Sequence, residues 1–521
     1  MAGSRRRAIL LTVAATIVAA VVIVATRTPV DGREQASVDV ILITLDTARA
    51  DAFGCYGATG GVSPTLDALG DDGVVFERCS TSSAITPVAH ASILSGLQPY
   101  QHRLRVFSGR SGYRLPTEIP TLATLLHERG YTTAAVHSAF PVSSSFGFGT
   151  GFDRFESFAE EPVRELASGA DGRSALDVED YQRRSDESVD VALGLLDEIH
   201  GPLLLWVHLF DAHDAKLRPP PEFRRYALTE PSGAAIAHRD ALYADELRFQ
   251  DRQLRRLLAG LHARGRLQRA VIAVVGDHGE GLTGGLERHG WSRHAILYED
   301  QLRVPLVLRG PGVPAGRRVG AQVRTIDVMP TLLELAGFPI PASVEGKSLL
   351  ALAREDGPSR IAYAEQLNGY ELVPPFVLRA RPHDDFVYSV SDGRWKLLYR
   401  PAHPRRSELF DLASDPGETR DQLAQQPAVL ATLLRELAAR DPWRDRPFEP
   451  LPDDANPQFT SALAALGYAA ESDRELGAPE WAWNCIADGT QTPDRGPCPR
   501  CGAPRVLVAA GESPLPTPTA R

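Results

Sequence analysis

Val274-Val275-Gly276-Asp277-His278-Gly279-Glu280-Gly281 decides the fold, because there an apolar run stops abruptly on an aspartate and a histidine. The run RAVIAVVGD, ending at Asp277, has the length and β-branched content of a fully buried strand. Asp277 and His278 are therefore expected at its carboxyl end, the edge where open α/β sheets bind ligands. An earlier run, VDVILITLD, repeats the pattern: Val38 to Leu45 reads as a second buried strand, and Asp46 arrives as it ends. Either pair alone also fits a capped strand-to-turn junction. Together the two strands deliver three hard or borderline ligands, which points to a metal site.

The chain has 521 residues, 43% of them hydrophobic, enough for one large α/β domain and a smaller one. Its formal net charge is -10, and Lys and Arg are scattered rather than clustered, which argues against a nucleic-acid partner but not against a small anionic substrate. The only lysines are Lys216, Lys347 and Lys396, so any cation the chemistry needs falls to Arg, His or metal. Five cysteines, Cys55, Cys79, Cys485, Cys498 and Cys501, are too few and too odd in number for a disulfide framework.

Residues 1–7 form a short basic tail, and residues 8–26 an apolar run long enough, at about 1.5 Å per residue, to cross a bilayer. It reads as a transmembrane anchor or an uncleaved signal, since Val24-Ala25-Thr26 is a poor cleavage exit. Arg5, Arg6 and Arg7 place the N-terminus inside, which puts the remainder beyond a linker at 27–37 outside the cytoplasmic membrane. Between 38 and 350 strands and helices alternate, which predicts a mostly parallel sheet with helices on both faces. Strands are expected at Val38 to Leu45, Val74 to Cys79, Thr132 to His137, Leu203 to Leu209, Ala270 to Val275 and Pro305 to Arg309. Residues 351–445 read as a small α+β subdomain, with a hairpin turning at Ser391-Asp392-Gly393-Arg394 and a helix from Ala428 to Arg440. Residues 446–521 read as a Pro-rich tail, partly disordered, that carries three cysteines.

Thr86-Pro87, opening the apolar run Val88 to Leu97, is a helix start with Thr as N-cap and Pro at the first helical position. A hydroxyl there sits where backbone N–H groups and the helix dipole favour an anion. Next to a divalent cation it can act as a nucleophile on a phosphoryl or sulfuryl centre.

LDTARADAFGCYG, TPVAHASILSG and GDHGEG, followed by LYEDQLRVPLVLRGPG, resemble in order and spacing the sulfatase-like branch of the alkaline phosphatase superfamily. LLLWVHLFDAH, TIDVMPTLLELAG and SELFDLASDPGE agree, so the resemblance runs from about Val38 to Leu423. It implies a large alkaline-phosphatase-like α/β domain carrying the active site and a smaller C-terminal subdomain. Residue by residue, it implies Asp46, Asp277 and His278 as metal ligands, with Thr86 as both metal ligand and nucleophile. His213 and His294 match positions that contact the transferred group or its leaving oxygen; His294 stands where many relatives have a lysine, and Arg293 beside it is another source of charge. His90 falls where sulfatases carry an arginine that anchors the nucleophile, and it also reads as a helix-face residue packed beneath Thr86. Arg103, where relatives usually have glycine, and His289 are expected to bind substrate at the rim.

Sulfatases of this family carry cysteine or serine at the Thr86 position, oxidised to an aldehyde whose hydrate attacks sulfur. Threonine yields at best a ketone, and Thr47 replaces a second aspartate. A set of Asp, His and Thr resembles the members that cleave or transfer phosphorus esters with manganese or zinc, with calcium the alternative. The expected enzyme is a hydrolase, or a transferase if the acceptor is an envelope lipid or glycan hydroxyl. Cys485-x12-Cys498-Pro-Arg-Cys501-Gly resembles half of a zinc knuckle. No histidine follows His403 to complete it, which leaves Asp488 or Asp494, or else a disulfide with one thiol over.

Overall fold

The structure, a computed structural model, describes residues 38–106, 114–156, 182–213, 218–224, 235–289, 296–367, 386–443 and 481–511. The expected anchor at 8–26 lies outside them, and among the described residues no helix is long and apolar enough to cross a membrane.

The central sheet is built from β1 (Asp39–Leu45), β2 (Val74–Ser80), β3 (Thr132–Val136), β4 (Arg154–Glu156), β5 (Leu203–Leu209), β6 (Ala270–Gly276), β7 (Arg303–Val304), β8 (Leu306–Arg309) and β9 (Arg317–Arg324). Its order is β4-β3-β5-β1-β6-β8-β2-β7, with β9 also paired to β2. From β4 to β6 every pairing is parallel, as expected from the buried apolar runs. Beyond β6 the expectation needs correction: β8 is antiparallel to both β6 and β2, so the sheet is mixed. Two antiparallel steps restore direction, and β2 therefore points its carboxyl end the same way as β1 and β6. The strand β9 is absent from the sequence reading because RRVGAQVR lacks an apolar run, although its last three residues, Gln322 to Arg324, are all buried.

Both faces of the sheet are covered. On β1, Val40 and Leu42 face one core with Trp206 of β5 and the helix Thr86–Ser95, whereas Ile41, Ile43 and Leu45 face the other with the helices Ser185–Glu198 and Ala235–Ala263. This two-sided burial explains why the central strands read as continuous apolar runs rather than alternating ones.

β10 (Ala362–Leu367), β11 (Phe386–Ser391), β12 (Trp395–Tyr399) and β13 (Glu408–Asp411) form an antiparallel sheet in sequence order, including the expected hairpin. The helix Pro427–Arg440 lays Leu430, Leu433, Leu434 and Leu437 on it at helical spacing. Arg105 reaches this sheet through a buried pair with Glu365 at 2.6 Å, and buried Lys396 pairs with Glu299 at 2.9 Å and Glu418 at 2.8 Å. Where the sequence read as a tail, residues 481–511 instead contain a third sheet, β14 (Trp481–Cys485), β15 (Gln491–Thr492) and β16 (Arg505–Ala509), in the order β15-β14-β16.

His102 is fully buried, 3.0 Å from Ser92 Oγ through Nε2, and its Nδ1 accepts the Leu104 N–H at 3.2 Å. Burial, aided by Arg105, pushes its pKa down to about 3. The unfolded chain binds this proton below about pH 6.5 and the folded chain does not, so stability is full above that value and falls as pH drops toward 3, by at most about 1.4 kcal/mol per pH unit. Denaturant unfolding measured between about pH 7 and pH 5 is expected to show a shallower slope, by close to one proton, in His102→Gln. An unchanged slope would mean that His102 is protonated in the folded protein.

Candidate metal and nucleophile site

Leu45 is level with Leu209 on one side and Gly276 on the other, so the first residues after β1, β5 and β6 emerge together. The Asp46 N–H donates to Leu209 O at 2.9 Å and the Asp277 N–H to Leu45 O at 3.2 Å, which holds the two carboxylates side by side. Glycine is required on both sides of the Asp-His pair. A Cβ at Gly276 would lie 2.8 Å from Ala48 O, and one at Gly279 would lie 2.1 Å from Asp300 O. Thr47, next to Asp46, has φ +49, rare for a β-branched residue. Its N–H donates to Asp277 Oδ1 at 3.0 Å and its carbonyl accepts Tyr243 Oη at 2.8 Å, so contacts on both sides hold the strained turn.

Asp46, Asp277 and His278 are fully buried, with ligand atoms within 4.8 Å of one another. Burial drives both carboxyl pKa values well above the usual range; the charge of Asp46 adds to the rise at Asp277 and that of Glu280 to the rise at Asp46, while hydrogen bonds from Asp277 and Thr86 oppose it at Asp46. Among the described residues, Asp46 Oδ1 and Asp277 Oδ2 have no hydrogen-bond partner. His278 Nδ1 lies 3.0 Å from Gly279 O, a geometry in which Nδ1–H donates and the Nε2 lone pair faces the side of Thr86 Oγ1. Two orphaned carboxylate oxygens and an imidazole nitrogen within 4.8 Å of one another fit a divalent cation.

Thr86 is delivered by the loop after β2. The sequence reading made it the N-cap, but the cap is Ile85 and Thr86 is the first helical residue. Its hydroxyl makes no capping bond and lies 3.2 Å from His278 Nε2, within reach of Asp46 as well.

His90 occupies the helix-face position beneath Thr86 and has no exposed surface, so the expectation that it meets substrate is corrected. Its Nδ1 donates to Thr86 O at 2.8 Å and lies 3.5 Å from Asp277 Oδ2; its Nε2 accepts from Thr44 Oγ1 at 3.0 Å, which accepts Trp206 Nε1–H at 3.0 Å. Arg103 also departs from expectation. Its φ of +68 explains why glycine suits the position, but its guanidinium turns outward to pair with Glu118, and no contact joins it to the buried carboxylates among the described residues. His213 ends the turn Asp211–His213 after β5, stacked on Phe210 at 4.4 Å, while Asp211 holds the turn to Ser185. His289 ends the helix Leu282–His289, its side chain outside the described residues, as is the whole of His294.

His208 was not singled out from the sequence. It is fully buried on β5 beside Thr44, and its Nε2 donates to Asp46 Oδ2 at 3.1 Å while its Nδ1 accepts the Ser138 N–H at 3.3 Å. That backbone bond fixes the tautomer, and burial pushes the pKa down to about 3, keeping the ring neutral. A histidine inside an otherwise apolar buried strand was the available signal.

Residues 39–338 match the sulfatase family, and residues 287–440 match the C-terminal region of N-sulphoglucosamine sulphohydrolase. The chain belongs to the sulfatase family. It is a hydrolase of ester bonds. The Δ4,5-hexuronate-2-O-sulfatase of Bacteroides thetaiotaomicron is 25% identical over 468 residues, 81% of this chain and 93% of that one. The phosphonate monoester hydrolase of Agrobacterium radiobacter shares the fold at TM-score 0.60 and 20% identity, over 77% of this chain and 95% of that one. A 2-O GAG sulfatase does so at TM-score 0.61 and 21% identity, over 78% and 92%.

His208 holds Asp46 from within the buried sheet. His208→Leu is expected to keep the far-ultraviolet circular dichroism spectrum and weaken divalent-metal affinity by about 10- to 100-fold in chelator competition. Unaltered affinity would show that Asp46 needs no such support.

Proposed function

We propose that the chain cleaves phosphate or phosphonate esters through Thr86. The observation that carries this reading is the Thr86 hydroxyl at the first turn of a buried helix, free of capping duty and 3.2 Å from His278 Nε2. A threonine there attacks directly and needs no prior oxidation. A divalent cation held by Asp46, Asp277, His278 and Thr86 would lower the pKa of that hydroxyl and offset charge on the transferred group; the one-imidazole, oxygen-rich donor set favours manganese or zinc, with calcium the alternative.

Thr86 Oγ1 passes its proton to the Asp46 carboxylate within hydrogen-bond reach and attacks phosphorus in line, forming a Thr86 ester as the phosphorus–oxygen bond to the leaving group breaks; water or an acceptor alcohol then attacks the phosphorus and releases Thr86, which recovers a proton. The N-terminus of the helix Thr86–Ser95 favours the anionic centre. His213, held at the strand edge by its turn, and His294 supply the proton for the leaving oxygen. His90 and His208 keep the nucleophile and Asp46 in place. The basic tail and apolar run at 1–26 support a membrane-anchored enzyme whose catalytic unit faces outward, with an anionic envelope lipid or glycan as substrate.

Sulfate-ester hydrolysis is the second reading, favoured by the 25% identity to a hexuronate-2-O-sulfatase across 93% of that protein. Initial rates on paired aryl phosphate, phosphodiester, phosphonate and sulfate esters separate the two. Phosphorus-ester turnover is expected to dominate, to fall by about 10⁴-fold or more in Thr86→Ala, and to persist in part in Thr86→Ser. Dominant sulfate turnover, or phosphorus-ester turnover indifferent to Thr86→Ala, sinks the proposal.

A further inference from the structure

Cys485, Asp488, Cys498 and Cys501 bring four ligand atoms within 4.8 Å of one another, in the sheet β14–β16. Two turns of the same construction deliver them, thirteen positions apart: Cys485-Ile-Ala-Asp488-Gly489 and Cys498-Pro-Arg-Cys501-Gly502. In the first, the Cys485 N–H donates to Thr490 O at 2.9 Å and the Gly489 N–H to Cys485 O at 3.0 Å. In the second, the Cys498 N–H donates to Ala503 O at 2.9 Å and the Gly502 N–H to Cys498 O at 2.8 Å. Gly489 and Gly502 both have φ +72, the left-handed conformation that ends each turn just after its last ligand. The Ala487 N–H also points at Cys485 Sγ, at 3.4 Å, as an N–H group does when it stabilises thiolate charge.

Two matched turns facing each other across a short antiparallel sheet form a four-donor cage. All five cysteines are free, which sets aside the disulfide expected as an alternative, and the Cys485 and Cys501 sulfurs approach to 3.4 Å. A tetrahedral zinc with Zn–S bonds of about 2.3 Å needs sulfurs about 3.8 Å apart, close to this spacing. Burial points the same way. Cys498 is buried although residues 493–497 and 499–502 on either side, Cys501 among them, are exposed, so Cys485 and Cys498 form the inner side of the cluster, and Asp488 and Cys501 close it toward solvent. The other end has an apolar anchor: Trp483, Ile486, Val506 and Leu507 join the core beneath the helix Pro427–Arg440, and Tyr399 Oη donates to Leu507 O at 2.6 Å.

We propose that Cys485, Asp488, Cys498 and Cys501 bind a second, structural zinc ion, separate from the ion at Asp46, Asp277 and His278. Binding releases three thiol protons and leaves one Zn²⁺ with three thiolates and one carboxylate, a net charge of -2 that Arg500, 3.8 Å from Asp488, partly offsets. The ion closes the end of the sheet that apolar burial leaves open, so that the module stays folded against the C-terminal subdomain.

Cobalt substitution of the full chain under reducing conditions tests this, because only thiolate ligation gives an intense near-ultraviolet sulfur-to-cobalt charge-transfer band. The band is expected in the unsubstituted chain and in Asp277→Asn, which lacks a ligand of the other site. Cys498→Ser combined with Cys501→Ser is expected to abolish it and to lower bound zinc by one ion per chain. Asp488→Cys, which completes a four-thiolate cage, should strengthen the band and keeps the test decisive if the double variant does not fold. Absence of the band from the unsubstituted chain, its survival in the double variant, or its loss in Asp277→Asn alone would overturn the proposal.

Discussion

Two carboxylates, Asp46 and Asp277, are held together where water cannot reach them, and much of the surrounding architecture serves that constraint. At a separation of about 5 Å and an effective dielectric of about 20, two such charges repel by roughly 3 kcal/mol, and each also loses its hydration. A fold does not sustain that arrangement without compensation. The protein supplies part of it with hydrogen-bond donors aimed at the pair: the N–H groups of Thr47 and His278 to Asp277, and Nε2–H of His208 to Asp46. A divalent cation would supply the remainder, at the two carboxylate oxygens that have no partner among the described residues.

The neutral rings of His90 and His208 follow from the same constraint. His90, His208 and His278 stand close together, and a proton on any one would raise the cost of the others. Backbone atoms decide the tautomers: Thr86 O takes Nδ1–H of His90, Gly279 O takes that of His278, and the Ser138 N–H keeps Nδ1 of His208 bare. Each ring therefore presents a defined face to its neighbour, a donor toward Asp46 and a lone pair toward the point where Thr86 and the carboxylates meet. The strained Thr47 backbone belongs to this arrangement, because only that turn lets its N–H reach Asp277 while Asp46 stays beside it.

The mixed sheet explains how a residue on a separate helix joins the site. β2 lies two strands from β6, and because β8 between them runs the other way, the end of β2 opens at the same edge as Asp46 and Asp277. The helix Thr86–Ser95 then starts at that edge with every residue buried. Ion pairs of Arg105 and Lys396 fix the C-terminal subdomain against this domain, and the sheet β14–β16 packs on its far helix.

Most of the framework was legible in the sequence. Six strands were placed within two residues of their ends, because two-sided burial writes an apolar run into each, and Asp46, Asp277, His278 and Thr86 were legible because each stands where such a run or helix begins or ends. Local pattern alone carried that much. The antiparallel β8, the polar strand β9 and the sheet around Cys485 depend on partners far along the chain, and no local periodicity encodes them. The same holds for the roles of the histidines. Sequence placed His90 near the nucleophile but left open whether it meets substrate, and it passed over His208, since both answers depend on which side chains close over the ring. Residue type and spacing determined the chemistry available to this chain; only tertiary packing, by removing water from some of those groups and setting their hydrogen-bond partners, decided which of them hold the ligands in place.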